Sequence, residues 1–371
     1  MKTKLMWGLS LVLVLSLLAA CAPAATAPAE AEAPAAEDAA PAAEAAPAEE
    51  TAEKLFIGHV NLAAFPFINQ LKTGYEFACE DFDLNCEYSA PEAPNFESQA
   101  AMFEAIRSKK PNGMILNPVP PENWVTLIRQ TVDQGIPVVT VDVPFPKGSG
   151  ASVFVSPDNF EMGKILAEEL VRQLTANGVT GGQVVIGICA PANTDLQLRA
   201  NGYKEAFVGM TEWEIVGPLD TGDETEKDFA FWESALSKYP DAVAFLGSCS
   251  FDAPNLSQLK KQKGGDWLVV GFDLEPETME GLSDGSVAAA MGANPYLSTY
   301  VATAYLADHL TSGEPLAVDG WIPTSPELVT AENVQEFLDR ENDKAALKQY
   351  YVDLFKANFE GKMDSLVVPL P

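Results

Sequence analysis

From residue 54 onward the chain alternates between two patterns. Short unbroken apolar runs mark buried strands, and longer stretches with apolar positions every three to four residues mark amphipathic helices. The first runs fall at 55–60, 86–88, 113–116 and 137–141, and the helical stretches after the first three cover 67–82, 98–108 and 124–134. A short strand at 153–155 follows, with a Ser-Pro-Asp turn at 156–158, and the alternation then restarts. Strands are expected at 184–189, 215–218, 242–246, 267–272 and 287–291, and helices at 163–174, 196–207, 227–238, 254–262 and 276–282. Strands joined through helices make right-handed crossovers, so each series predicts a parallel, doubly wound sheet. A helix over 297–310 and a segment over 321–329 come last in this set, and a return across the connection to the first lobe is their natural home.

Such sheets bind ligands beyond the carboxyl ends of their strands. In the first series those ends present residues 61–67, Asn117 and Asp142; in the second they present 190–199, Asp220, 247–250, Asp273 and 292–294. The apolar run 138–141 stops at Asp142, directly before the crossing into the second series. A carboxylate there points to a ligand held between two lobes.

The first 53 residues obey other rules. Lys2 and Lys4 precede an apolar segment over 5–18 and then Leu18-Ala19-Ala20-Cys21. This is the make-up of an export signal, too short for a spanning helix of ~20 residues. Leu-Ala-Ala-Cys resembles the lipobox of bacterial lipoproteins, which implies that Cys21 carries lipid; an ordinary secretory signal with an incidental cysteine is the alternative. Residues 22–53 hold 17 Ala, 5 Pro, 2 Thr and 8 acids, with no base and no aliphatic larger than Ala. Nothing there buries enough apolar area to offset the entropy of ordering, so 21–53 reads as an extended, disordered tether.

Composition sets limits on partners. The 371 residues suffice for two cores, and a formal net charge of -30 opposes a nucleic-acid backbone or an anionic lipid surface. Only two histidines occur: His59 inside the first strand reads as core, and His309 near a helix end as a C-terminal partner. No phosphate loop, dinucleotide fingerprint or nucleophile elbow is present, and neither a metal cluster nor a cofactor is implied. Asp220-Thr221-Gly222-Asp223-Glu224 lacks the spacing of a calcium loop. Beyond Cys21 four cysteines remain, an even number in an oxidising compartment. Cys79 ends a helix and Cys86 starts the next strand, while Cys189 and Cys249 end strands that neighbour each other in a 2-1-3-4-5 order. These two bridges are the favoured pairings, and free thiols are the alternative.

The chain resembles the pentose- and hexose-binding proteins of bacterial ABC importers, type I periplasmic binding proteins similar to ribose-binding protein. The resemblance spans residues 55 to about 335. It rests on the order and spacing of Pro66-Phe67, Leu116-Asn117-Pro118, Ile136 to Asp142, Ser156-Pro157-Asp158-Asn159, Arg199-Ala200-Asn201-Gly202-Tyr203, Val269 to Asp273, and Thr330-Ala331-Glu332-Asn333-Val334. It implies two α/β lobes with doubly wound parallel sheets, joined by three crossings and closing on a ligand. The lobes are expected over 54–156 plus 295–322 and over 157–294 plus 323–371, with 1–20 as signal peptide.

Carried over by position, Phe67 lies against a sugar ring, and Asn117, Asp142, Arg199 and Asp273 bond its hydroxyls. Asn61 takes the place of a small polar residue and Asn294 of an amide. The departures are Phe65 and Val143, where ribose binders have Asn and Arg, and Ser248-Cys249 in place of Asn-Asp. An aromatic near residue 220 is replaced by Asp220-Thr221-Gly222. With less positive charge and more apolar surface, the site suits a neutral hexose, deoxy sugar or polyol. The expected partner is an ABC permease, and the expected state is a lipid-anchored, extracytoplasmic monomer that is not an enzyme. A ligand sensor for chemotaxis or quorum-type signalling, and a glycosidase using the cleft acids, are the rival readings.

Overall fold

The computed structural model describes residues 53–63 and 66–370. The expected signal peptide, Cys21, the tether up to residue 52 and Phe65 lie outside the described residues.

The first lobe opens with β1 (Phe56–Val60), α1 (Pro66–Asp81), β2 (Asn85–Ser89), α2 (Phe96–Arg107) and β3 (Gly113–Leu116). A 3-10 turn (Pro121–Trp124), α3 (Val125–Val132), β4 (Val138–Val141) and β5 (Val153–Pro157) follow. Every residue of β3, β4 and β5 is buried, as continuous apolar strands of a sheet covered on both faces must be. The second lobe runs through α4 (Asn159–Ala176), β6 (Gly182–Ile188), α5 (Thr194–Glu205), β7 (Trp213–Asp220) and α6 (Thr225–Lys238). It continues with β8 (Ala242–Gly247), α7 (Asp252–Lys263), β9 (Leu268–Phe272), α8 (Pro276–Asp284) and β10 (Ala289–Gly292). Asp158 and Asn193 cap α4 and α5 by accepting from backbone N–H groups of the first turn. The Asp158 cap starts α4 four residues before the apolar periodicity shows itself, at Asn159 and not at residue 163.

The chain then returns to the first lobe as α9 (Pro295–Ser312) and β11 (Gly320–Thr324), and crosses once more into β12 (Glu327–Thr330) and α10 (Val334–Glu341). It ends with α11 (Lys344–Asn358), α12 (Met363–Leu366) and β13 (Val368–Pro369). The sheets run β13-β11-β5-β4-β3-β1-β2 and β12-β10-β9-β8-β6-β7. All pairs are parallel except the outermost, β13 on β11 and β12 on β10, so each lobe is a parallel sheet with one antiparallel edge. Pro218 sits in β7, at the opposite edge, where a missing donor is tolerated.

Each sheet is covered on both faces. In the first lobe, α1, α9 and α11 pack one side around Tyr75, Tyr300 and Tyr351, and α2 and α3 the other around Phe103 and Trp124. In the second, α4 and α5 face α6, α7, α8 and α10 across the sheet. Here the structure corrects the expectation that 323–371 belongs wholly to the second lobe. Leu347, Tyr351, Phe355, Phe359 and Met363 join the first-lobe core, and β13 extends its sheet. The physical reason is α9, whose sides facing away from the sheet are also apolar and need a second cover. His309, buried in α9, lies with Nε2 3.1 Å from Asp364 Oδ1 at the start of α12.

Three segments cross between lobes: β5 to α4, β10 to α9, and β11 to β12. They are tied to one another. Trp321 Nε1 donates to Ser156 O at 2.9 Å, Asn294 Nδ2 to Ser325 O at 3.2 Å, and the hydroxyls of Ser298 and Thr324 meet at 3.0 Å.

Candidate functional site

The site begins where strands end. Asp142 follows β4, the fourth strand of its lobe, and Asp273 follows β9, the fourth strand of the other. Both have left-handed backbones, with φ of 64° and 68°, a conformation that Asp and Asn tolerate better than most residues. Asn294, after β10, shares it with φ of 54°.

In the first lobe Asn117 Nδ2 donates to Asp142 Oδ2 at 3.0 Å and to Asn61 Oδ1 at 3.2 Å. Asn61 is fully buried and spends its other polar groups locally: Oδ1 also accepts from Leu62 N, and Nδ2 donates to His59 Nε2 at 3.3 Å. Burial pushes the His59 imidazole down to about 3, which keeps the ring neutral, and the amide N–H of Asn61 makes Nε2 the acceptor. Asn61 therefore orients Asn117, whose buried Oδ1 has no partner among the described residues and is available to a hydroxyl donor.

In the second lobe Arg199 of α5 is held from three directions. Its Nε donates to Asn159 Oδ1 at 2.9 Å, its Nη1 to Ser248 O at 3.1 Å, and its Cζ lies 4.2 Å from the centroid of the Phe272 ring. Asp273 Oδ2 is 4.0 Å from Nη1. The Ser248 hydroxyl donates to Gly187 O at 2.8 Å, so this buried side chain fixes the β8 end against β6 while its carbonyl steers Arg199. Beside it Cys189 and Cys249 form a disulfide, as do Cys79 and Cys86 in the first lobe.

The two halves act on one another electrostatically. Burial raises Asp142 to about 6; the Asn117 hydrogen bond opposes this, Asp195 and Asp273 add to it, and Arg199 counters. Burial likewise raises Asp195 and Asp273, against the pull of Arg199. Asp142, with Asn117 and then Asn61 bonded beside it in one lobe, thus lies within electrostatic reach of Arg199 and Asp273 of the other. Phe67, half-buried, lines a narrow cavity at the hinge together with Asp273, Asn294 and Tyr296. The Asn294 Nδ2 is engaged by the third crossing, while its Oδ1 is buried without a partner among the described residues.

The sequence assigns no individual site role to Asp195, Asn159 or Phe272, although each lies in a stretch named above. The signal for Asp195 was its place four residues before Arg199, on the same face of α5. Nothing local marks Phe272 as the platform beneath a guanidinium from another element. Among the described residues, no group of three or more His, Cys, Asp or Glu is placed to hold a metal, and no helix is long and apolar enough to cross a membrane.

Known proteins share this architecture. The chain is similar to the D-allose-binding periplasmic protein of Escherichia coli (strain K12), 24% identical over 263 residues that make up 68% of this chain and 84% of that protein. It is also similar to the xylose/arabinose-binding protein XylF of Sulfolobus acidocaldarius, 21% identical over 303 residues, 76% of this chain and 72% of the relative. In fold it matches the arabinose binding protein AraP from Geobacillus stearothermophilus, with a TM-score of 0.69 at 21% identity, covering 77% of this chain and 99% of that one. The model of the periplasmic binding protein domain matches residues 60–315, well over half the chain. Two lobes with a ligand-type site between their strand ends, matched over that span, show that the chain belongs to the periplasmic binding protein domain family.

Proposed function

We propose that this protein captures a neutral sugar or polyol between its lobes, outside the cytoplasm, and hands it to the permease of an ABC importer. The observation that carries the reading is the cross-cleft set of Asn117, Asp142, Arg199 and Asp273, in which Asp142 senses charges of the opposite lobe. A sugar hydroxyl both donates and accepts. Ionised Asp accepts, Arg donates through a planar fork and Asn does both, so a ring of such groups reads several adjacent hydroxyls at once. Phe67, with Phe65 before it in sequence, supplies apolar surface for the C–H face of the ring. Val143, in place of a second arginine, favours a neutral ligand over a phosphorylated or acidic one. Relatives named for allose and for xylose and arabinose support a monosaccharide.

Contacts from both lobes make ligand binding and closure one event, because the ligand stabilises only the shut arrangement. Cys21, once lipidated, anchors a monomer to the membrane by the tether, leaving the lobes free to meet the permease.

Calorimetry of the purified protein with D-allose, D-ribose, D-xylose and L-arabinose, together with mass spectrometry of any co-purifying small molecule, tests the reading. Binding of a neutral sugar supports it; tight binding of a sugar phosphate or sugar acid with none to the neutral set refutes it. Radiolabelled palmitate entering the chain but not its Cys21→Ser variant tests the anchor.

A further inference from the structure

We propose that the C-terminal hairpin of α10 and α11 is a fourth link between the lobes, and that Arg340 is the positioning residue through which it favours the closed cleft. The three crossings end at β12, yet the chain then touches both lobes again within a few residues. α10 seats Val334 and Phe337 in the second-lobe core, and α11 seats Leu347, Tyr351 and Phe355 in that of the first.

Arg340 stands between them, 8% exposed. Its Nη2 donates to Glu327 Oε2 at 2.9 Å and lies 2.8 Å from Oε1 in an ion pair, where the third crossing enters β12. Its guanidinium lies 4.0 Å from the centroid of the Tyr350 ring on α11 and 4.7 Å from that of Phe337 on α10. The next residue, Glu341, accepts from the hydroxyl of Tyr296 at 2.8 Å, just past the second crossing. Tyr296 in turn stacks on Tyr351 with centroids 5.0 Å apart.

One buried cation thus joins a helix of each lobe and one crossing, and its neighbour reaches a second. A buried guanidinium with a carboxylate held at one nitrogen and aromatic rings on its faces tolerates little reorientation. Hinge rotation that moves the second lobe away carries α10 and Glu327 with it and draws Arg340 off Tyr350. Phe337 and Tyr351 also line the cavity that holds Phe67, Leu274 and Asn294. The motion that parts Phe67 from Leu274 therefore parts the hairpin too.

The test measures lobe separation without any sugar, so it does not depend on the ligand reading. Nitroxide labels are placed at Glu97→Cys and Glu226→Cys, exposed positions in the first turns of α2 and α6, in the full chain carrying Cys21→Ser. Pulsed electron spin resonance is expected to give a narrow, short distance for the parent. Arg340→Ala should broaden and lengthen it, and Arg340→Lys should restore part of the change. Tyr350→Leu, which removes only a half-buried ring, should shift it the same way and serves if Arg340→Ala does not fold. D-allose affinity, where the parent binds it, should fall about tenfold, the change that about 1.4 kcal/mol of lost closure bias gives. A folded Arg340→Ala or Tyr350→Leu protein with the parent's distance distribution overturns the proposal, whereas a parent that binds no sugar but shows the shift leaves it standing.

Discussion

The guanidinium of Arg199 lies over the ring of Phe272, with Cζ 4.2 Å from the centroid, a platform that sets its plane while Asn159 and Ser248 fix its rotation. Lysine keeps the charge but has neither fork nor flat face. Arg199→Lys is expected to weaken sugar binding by at least about tenfold, on the order of one charged hydrogen bond. The melting temperature should change little. Calorimetry and a thermal melt on the same sample check both halves.

Asp142 gives a pH signature. Its carboxyl is raised to about 6, mainly by burial, so ionisation opposes folding. Since the unfolded value is about 3.9, that penalty is full above the folded pKa and is relieved as pH falls through about 6 toward 4. Unliganded protein should therefore gain stability on mild acidification, with Asp195 and Asp273 contributing in the same direction. On the proposed reading, in which the ionised carboxylate accepts from a sugar hydroxyl, binding should respond oppositely and affinity should fall as pH drops through about 6. Titration calorimetry on either side of that value checks it, and Asp142→Asn should flatten the profile while lowering affinity throughout.

The two disulfides close loops of unequal length, 60 residues for Cys189–Cys249 and 7 for Cys79–Cys86. On chain entropy alone these contribute about 4 and about 2.5 kcal/mol. Cys189→Ser/Cys249→Ser should lower the midpoint of chemical denaturation more than Cys79→Ser/Cys86→Ser. It should also reduce affinity, because Cys249 adjoins the Ser248 carbonyl that holds Arg199. Equal midpoints for the two double variants would count against this account.

Gly202 decides how closely α4 and α5 approach. A Cβ there would lie 2.0 Å from Phe160 O, so the helices must separate. Gly202→Ala is expected to cost about 1–3 kcal/mol, as overpacking of a tight contact does. Because Arg199 on α5 bonds Asn159 on α4, affinity should fall with it. A melt and a titration on one preparation test whether the two losses travel together.

Much of this site was legible because strand ends are marked in the sequence. The apolar run through Val141 stops at Asp142, and that through Phe272 stops at Asp273. Doubly wound topology then puts those ends on one edge without any long-range information. The side of the molecule that α11 covers was not legible. Its apolar positions at Leu347, Tyr351 and Phe355 recur every four residues, which fixes a face of the helix and says nothing of its partner. Only the unusual depth of α9, buried on nearly every side, explains why the first lobe takes the tail. The same holds for the Ser248 hydroxyl, whose donation to Gly187 O on a neighbouring strand nothing local marks.

The two-residue strand β13 has a consequence out of proportion to its length. By pairing Val368 with Trp321 and Pro369 with Gly320 it occupies the outer rim of β11, which would otherwise offer bare backbone groups to any passing chain. Proline there donates no hydrogen, so the pairing ends with this short piece and recruits no further strand. Trimming the last few residues would therefore leave the pocket chemistry in place while exposing an adhesive border, and the loss would be seen first as aggregation.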